Sequence, residues 1–530
     1  MESLPLRDKA AGLVVARLGS NMPPGITVEE DAARVEALLQ RCPLGGLVVF
    51  NGNVTESPGI LAHLQRVSKY PLLVGSDIER GFGQQFRGGT VFPHAMAFSA
   101  LGADAERLLE DSARVTAREA LACGVHIAFA PVADVNRNLA NPIISTRAFG
   151  TEPRETAGLV RAYVRGCRDE GLLTAAKHFP GHGNTSEDSH DTVPVVRSPR
   201  RELDELDLVP FKAAIGEDVP LVMTAHVSYP ALDPTGLPAT LSQPILHDLL
   251  RDKLHFQGAV ITDSMLMGAV RGKDVNPGEQ AAALLNAGVD IILDPPEPEL
   301  IVDGIVEAVQ KGRLTEARLD EALGRITALK KRLTDRFGGD FFVNPSRYVP
   351  GMEVGSAEHR CLAEDVARRA VTIQSAAPGL LPLDPVQVSE SGLLAVLIRP
   401  WRSRLDPPEA PLGEGVRMAF PGAHYVEIGP EAGDAEFTGL ARHAGEVGHV
   451  LLALVVKPAA WQNYGLLPPQ QQFVHELVAR RPVMLASLGS PYALRDFPNA
   501  AARLCTYSDV PVSQRALVSA LVGKPPHSLG

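Results

Sequence analysis

Cysteine is sparse in this chain, with five residues in 530, and Cys42, Cys123, Cys167, Cys361 and Cys505 form no Cys-x-x-Cys pair. That scatter suits a reducing compartment. Long apolar runs are also missing, and none approaches the roughly 20 residues of a membrane-spanning helix. The opening stretch MESLPLRDKAAGLVVARLG has an acidic second residue and no unbroken apolar segment ending in a cleavage-like site, so no secretory leader is expected. Cytoplasmic residence is the corresponding expectation. Positive charge is in deficit, with 51 Lys and Arg against 62 Asp and Glu for a net charge of -11. Nucleic acid and anionic lipid surfaces both call for clustered basic residues, so neither is expected as a partner, and a small or neutral substrate fits better. There is no repeat of solenoid length, no low-complexity tract, and no G-x-G-x-x-G between a strand and a helix that would mark a dinucleotide site.

What the chain does have is an ordinary globular balance, 45% hydrophobic and 21% charged, and length enough for two domains. Up to about residue 335, short β-branched runs alternate with longer helix-like stretches. The runs are LVVARL near Leu13, LVVFN near Leu47, LLVGSD ending at Asp77, HIAFAP ending at Pro131, LTAAKH ending at His178, LVMTAH ending at His226, AVITD ending at Asp263 and VDIILD ending at Asp294. Stretches such as VEEDAARVEALLQ and EPRETAGLVRAYVRGC carry apolar residues at helical spacing and acidic residues in the first turn. Eight such units predict an α/β fold whose N-terminal part is a (β/α)8 TIM-type barrel, with a doubly wound open sheet as the alternative. In a barrel the C-terminal strand ends form the active face. Asp77, Lys177, His178, His226, Asp263 and Asp294 would converge there.

The barrel is expected over residues 1–335. A stretch rich in Gly and Pro follows, and 336–370 is taken as a linker. Residues 371–530 then read as a smaller α/β sandwich, with LLAVLI, HYVEIG, VLLALVV, PVMLASLG and RLCTYS as short parallel strands between helices such as QQQFVHELVARR and SQRALVSALVG.

The densest chemistry lies in KHFPGHGNTSEDSHDTVP, residues 177 to 194. Glycines flank His182 and prolines bound the stretch, which predicts a long shaped loop after the fifth strand. Two readings of it stay open. Asp188 can orient the His190 imidazole and support its charged form, giving an acid/base group tuned near neutral pH. Alternatively His178, His182 and His190 with Asp188 could ligate a metal. Asp263, at the end of the seventh strand, is a candidate nucleophile for a two-step displacement when set against a facing acid/base group. Asp77, ahead of a glycine-rich turn, can accept from sugar hydroxyls, and Arg147 in NPIISTRAFG can donate a planar fork.

KHFPGHG with DSH, together with NPIISTRAFG and VITDSMLM, resembles the NagZ-like bacterial β-N-acetylglucosaminidases of glycoside hydrolase family 3. The resemblance runs through the whole barrel in order, and VMLASLGSPYALRDFP extends it to the sandwich of two-domain members. It implies Asp263 as the nucleophile, His190 as an unusual acid/base with Asp188 as its partner, and Asp77, Arg147, Lys177 and His178 as the groups holding the N-acetylglucosamine ring. It also implies no metal and no cofactor. ERGFGQQF departs from the turn found in many relatives, and so does Ser264 after the nucleophile.

The expected activity is therefore retaining hydrolysis of terminal β-linked N-acetylglucosamine, with cell-wall fragments as the favoured source. A β-glycoside phosphorylase or β-glucosidase on the same fold is the nearest alternative. A metal-dependent barrel hydrolase and a non-catalytic sugar-binding protein are the alternatives of another class. The sequence carries no mark of a particular oligomeric state.

Overall fold

The computed structural model describes residues 4–185, 193–267, 276–348, 353–402, 411–458 and 464–523. The chain divides into two compact units. The first comprises Met1–Thr90, Glu106–Asn141 and Ala148–Ser356; the second comprises Val91–Ala105, Pro142–Arg147 and Ala357–Gly530.

The first unit is built on eight parallel strands: β1 (Val14–Leu18), β2 (Gly46–Val49), β3 (Leu73–Ser76), β4 (Ile127–Ala128), β5 (Leu173–Phe179), β6 (Leu221–Thr224), β7 (Ala259–Ile261) and β8 (Ile292–Leu293). From β1 to β7 each pairs with its sequence neighbours, and β8 pairs with β1 through Val14↔Ile292 and Val15↔Leu293. A parallel bridge from Ile261 to Ile291 brings β7 to the residue ahead of β8 and nearly closes the ring. All eight predicted runs are strands of this barrel. Their residues are almost wholly buried, as expected of parallel strands covered by helices on one side and by the barrel interior on the other.

Helices follow the strands in turn: α1 (Val28–Arg41), α2 (Ser57–Val67), α3 (Ala105–Ala122), α4 (Pro153–Glu170), α5 (Val209–Gly216), the π-type helix α6 (Pro244–Lys253), α7 (Pro277–Ala287) and α8 (Pro298–Gln310). Local signals set their ends. Thr27 accepts from the Glu30 N–H while Glu30 reaches back to the Thr27 N–H, a reciprocal cap at the start of α1. α4 begins at a proline and stops at Gly171, whose φ of 94° ends the helix in the left-handed region. A longer helix, α9 (Glu316–Phe337), completes the unit.

The last and longest segment of the second unit opens with α10 (Ala357–Ala370), so residues expected to be linker form a helix. Its six-stranded sheet has the order β9 (Thr372–Ala376), β14 (Ala502–Cys505), β13 (Met484–Ser487), β12 (His449–Leu454), β10 (Leu393–Ile398), β11 (His424–Ile428). The five runs read as parallel strands are parallel. β9 is antiparallel to β14 and was not predicted: TIQSA is half exposed and has too few apolar residues to give a strand signal. Alternation along β10 and β12 splits the core. Leu394, Val396, Leu452 and Leu454 face Phe437 and Phe473 on one side, while Ala395, Leu397, Leu451 and Ala453 face Leu412, Phe420 and Leu517 on the other. No described helix is long and apolar enough to cross a membrane.

Candidate active site

At the C-terminal strand ends of the barrel, Lys177 is the centre of a charge cluster. Its side chain, 2% exposed, places Nζ 2.7 Å from Asp77 Oδ1, just past β3, and 2.7 Å from Glu79 Oε1. A lysine this buried needs compensating charge, and two carboxylates supply it. Asp77 remains the more open of the two and can offer an oxygen outward. The next residue, His178, points Nε2 toward Asp263, 3.9 Å from Oδ2. Asp77, Lys177, His178 and Asp263 are thus brought together, as the strand pattern predicts.

Asp263 lies one residue beyond Thr262 at the end of β7, and its side chain keeps 21% of its surface exposed. Oδ1 accepts from the Ser264 N–H at 2.8 Å. Burial works against its charge, but in the acid range where a carboxyl titrates the cationic forms of His178 and His226, together with Lys177 and the Ser264 N–H, outweigh it and hold the carboxyl below its ordinary value. His226 follows β6 and is fully buried, with Nδ1 2.8 Å from the Thr240 hydroxyl and Nε2 3.3 Å from the Ser264 carbonyl. Burial pushes its imidazole down, against the pull of Asp263. Asp294 follows β8 and is committed within the fold. It pairs with Arg17 of β1, whose guanidinium lies over the Phe50 ring, and accepts from the Ser264 hydroxyl at 2.6 Å. Ser264, next to the carboxylate, is therefore held at two points, its carbonyl by His226 and its hydroxyl by Asp294.

The KHFPGHGNT segment is fastened over the barrel by side chains of the β4 loop. Asp134 accepts from the His182 N–H at 2.6 Å and from His178 Nδ1 at 2.7 Å. Asn141 donates to the His182 carbonyl at 3.0 Å and to Thr185 Oγ1 at 3.1 Å, and Asn138 donates to the Thr185 carbonyl at 3.0 Å. Gly183 runs so close to Val135 that a Cβ there would meet its carbonyl oxygen at 1.8 Å, which admits only glycine. His182 Nδ1 lies 2.9 Å from Thr185 Oγ1. His178 Nδ1 is thus engaged by the β4 loop, and His182 Nδ1 by the segment itself. Beyond the loop, Pro194 accepts from the Ser228 N–H at 2.9 Å, and Val196 donates to the Ser228 carbonyl at 2.9 Å. Asp188 and His190, between these two roots, lie outside the described residues.

Arg147 stands at the end of a 3-10 turn, Ser145–Arg147, and donates from Nη1 to the Ile143 carbonyl at 3.2 Å. It belongs to the segment counted with the second unit. Sequence reasoning missed Asp134 and Glu79. The apolar run of the fourth strand, read as ending at Pro131, continues through Val132 and Ala133, so its first charged residue is Asp134. Glu79 sits in the same SDIER stretch as Asp77, and only the fold shows that both meet Lys177.

The model of the glycosyl hydrolase family 3 N terminal domain matches residues 6–329. A Cellulomonas fimi protein named β-N-acetylglucosaminidase/β-glucosidase is 29% identical over 526 residues, covering 94% of this chain and 90% of its own. A β-hexosaminidase of Alkalilimnicola ehrlichii is 36% identical over 291 residues, 53% of this chain and 82% of its own. Among solved structures, a family 3 β-N-acetylglucosaminidase from Paenibacillus sp. str. FPU-7 superposes with a TM-score of 0.84 at 30% identity, covering 98% of this chain and 97% of its own.

Proposed function

Since this chain belongs to glycoside hydrolase family 3 and is a glycoside hydrolase, we propose that it removes terminal β-linked N-acetylglucosamine by a retaining double displacement. The observation that carries this reading is Asp263. It is a partly exposed carboxylate whose surroundings favour its ionised form, with polar groups of both signs beside it.

A nucleophile must be anionic at working pH, and Asp263 meets that condition without a proton acceptor of its own. It attacks the anomeric carbon while the glycosidic oxygen takes a proton from His190, which Asp188 orients. The bond to the leaving sugar breaks and a glycosyl ester forms on Asp263. Water, deprotonated by His190, then attacks the same carbon and frees the carboxylate. Lys177 and His178 present donors and acceptors to ring hydroxyls, Asp77 accepts from them, and Arg147 donates to the acetamide or a hydroxyl. The names of the Cellulomonas, Alkalilimnicola and Paenibacillus relatives support the N-acetyl sugar. Cell-wall fragments handled in the cytoplasm are the natural source we propose.

The test is turnover of aryl β-N-acetylglucosaminide, β-glucoside and β-xyloside, with and without inorganic phosphate. The N-acetyl substrate is expected to lead by kcat/KM, with free sugar as product. Dominant glucoside turnover would overturn the substrate, and sugar phosphate as the main product would overturn hydrolysis. Asp263→Ala is expected to lower kcat by on the order of a thousandfold or more. Near-normal turnover in that variant would remove Asp263 from the mechanism.

A further inference from the structure

Asp134, on the β4 loop, meets the His178 ring at Nδ1, the nitrogen opposite the one that faces Asp263. The Asp134 side chain is fully buried, and each hydrogen bond it makes among the described residues is one that it accepts. Oδ1 accepts from the His182 N–H at 2.6 Å and the His178 N–H at 3.2 Å; Oδ2 accepts from His178 Nδ1 at 2.7 Å, with the His178 N–H at 3.3 Å. An ionised carboxylate only accepts, so the ring proton of a neutral His178 must sit on Nδ1. Nε2 then carries a lone pair, and it is Nε2 that lies 3.9 Å from Asp263 Oδ2.

We propose that Asp134 is a positioning residue that fixes the tautomer of His178, so that the neutral ring presents an acceptor toward the nucleophile and leaves it uncapped. The opposite tautomer would aim an N–H at the Asp263 carboxylate across a gap that a small side-chain adjustment closes. That hydrogen bond would stabilise the ground-state anion and blunt its attack. With the lone pair there instead, a sugar hydroxyl is the donor that fits between the two acceptors. The same carboxylate ties the ring to the root of the KHFPGHG segment through His182, so orientation and tautomer are set by one group. The role in turnover rests on the reading of Asp263 as nucleophile; the tautomer assignment does not.

Asp134→Asn is the discriminating variant. The amide oxygen can stay where Oδ1 is and keep both backbone N–H bonds, while the amide nitrogen replaces Oδ2 and needs an acceptor at Nδ1. The ring must then move its proton to Nε2. Ring-nitrogen NMR of histidine-labelled protein is expected to show His178 protonated at Nδ1 in the wild type and at Nε2 in the variant. Thermal unfolding should be little changed, and kcat should fall about 10- to 100-fold with a smaller change in KM. A neutral His178 protonated at Nε2 in the wild type would overturn the proposal even if the variant failed to fold. So would an unchanged tautomer, or unchanged kcat, in a folded variant. Should the wild type fail to cleave the N-acetylglucosaminide at all, the functional reading falls, while the ring-nitrogen measurement still decides the tautomer.

Discussion

Lys330, half-buried on α9, has its ammonium pushed down to about 8 by burial. Its neighbour His126 is fully buried and accepts the Val74 N–H at Nδ1; burial, with the nearby Lys330 charge, takes that imidazole down to about 3. The unfolded lysine titrates near 10.5 and the folded one near 8, so the folded state holds an unfavourable cation below pH 8 and is relieved of it as pH rises to 10.5. Lys330→Met is therefore expected to stabilise the protein at pH 7 by about 1–3 kcal/mol, and the gain should fade between pH 8 and 10.5. Unfolding followed by calorimetry at pH 7 and pH 10 checks both halves, and equal gains at the two pH values would contradict the assignment. At the catalytic face the balance runs the other way, because each buried charge has a partner: Lys177 has Asp77 and Glu79, and Arg17 has Asp294.

Among the elements, α7 and α8 approach most closely where two glycines meet. A Cβ on Gly304 would lie 2.0 Å from the Gly278 Cα, a contact that no rotamer change relieves because both sides are backbone. Gly304→Ala must part the two helices and disturb the packing of α8 on β1, the strand that carries Arg17 to Asp294. The expected cost is about 1–3 kcal/mol, visible as a lower unfolding midpoint, with kcat reduced more than a remote surface change would reduce it. A variant as stable and active as wild type would show that the helices separate freely. Element identity was legible from the sequence wherever apolar periodicity ran long enough, as in α1, α4 and all eight barrel strands. It failed for β9, whose strand character comes from pairing with β14 and not from its own residues.

For the molecule as a whole, a net charge of -11 and a neutral proposed substrate leave nothing for long-range steering to act on. Raising ionic strength from about 20 to about 500 mM should change kcat/KM on a neutral aryl N-acetylglucosaminide by less than about twofold, because the charge pairs at the site are buried and little screened. A steep salt dependence would mean that an exposed charge takes part in binding.

The amino-acid order determined by itself that the chain would fold as a barrel followed by a sheet domain, because period and strand-end polarity are local properties that any window of the sequence displays. It also marked Asp77, Lys177, His178 and Asp263 by their place at strand ends. Only the tertiary structure decided which of these groups neutralise one another, which carboxylate holds the His178 ring, and that Asp294 serves Arg17 and Ser264. Those pairings join residues from about 30 to about 280 positions apart, and the distances that set their strength exist only once the ring of strands has closed.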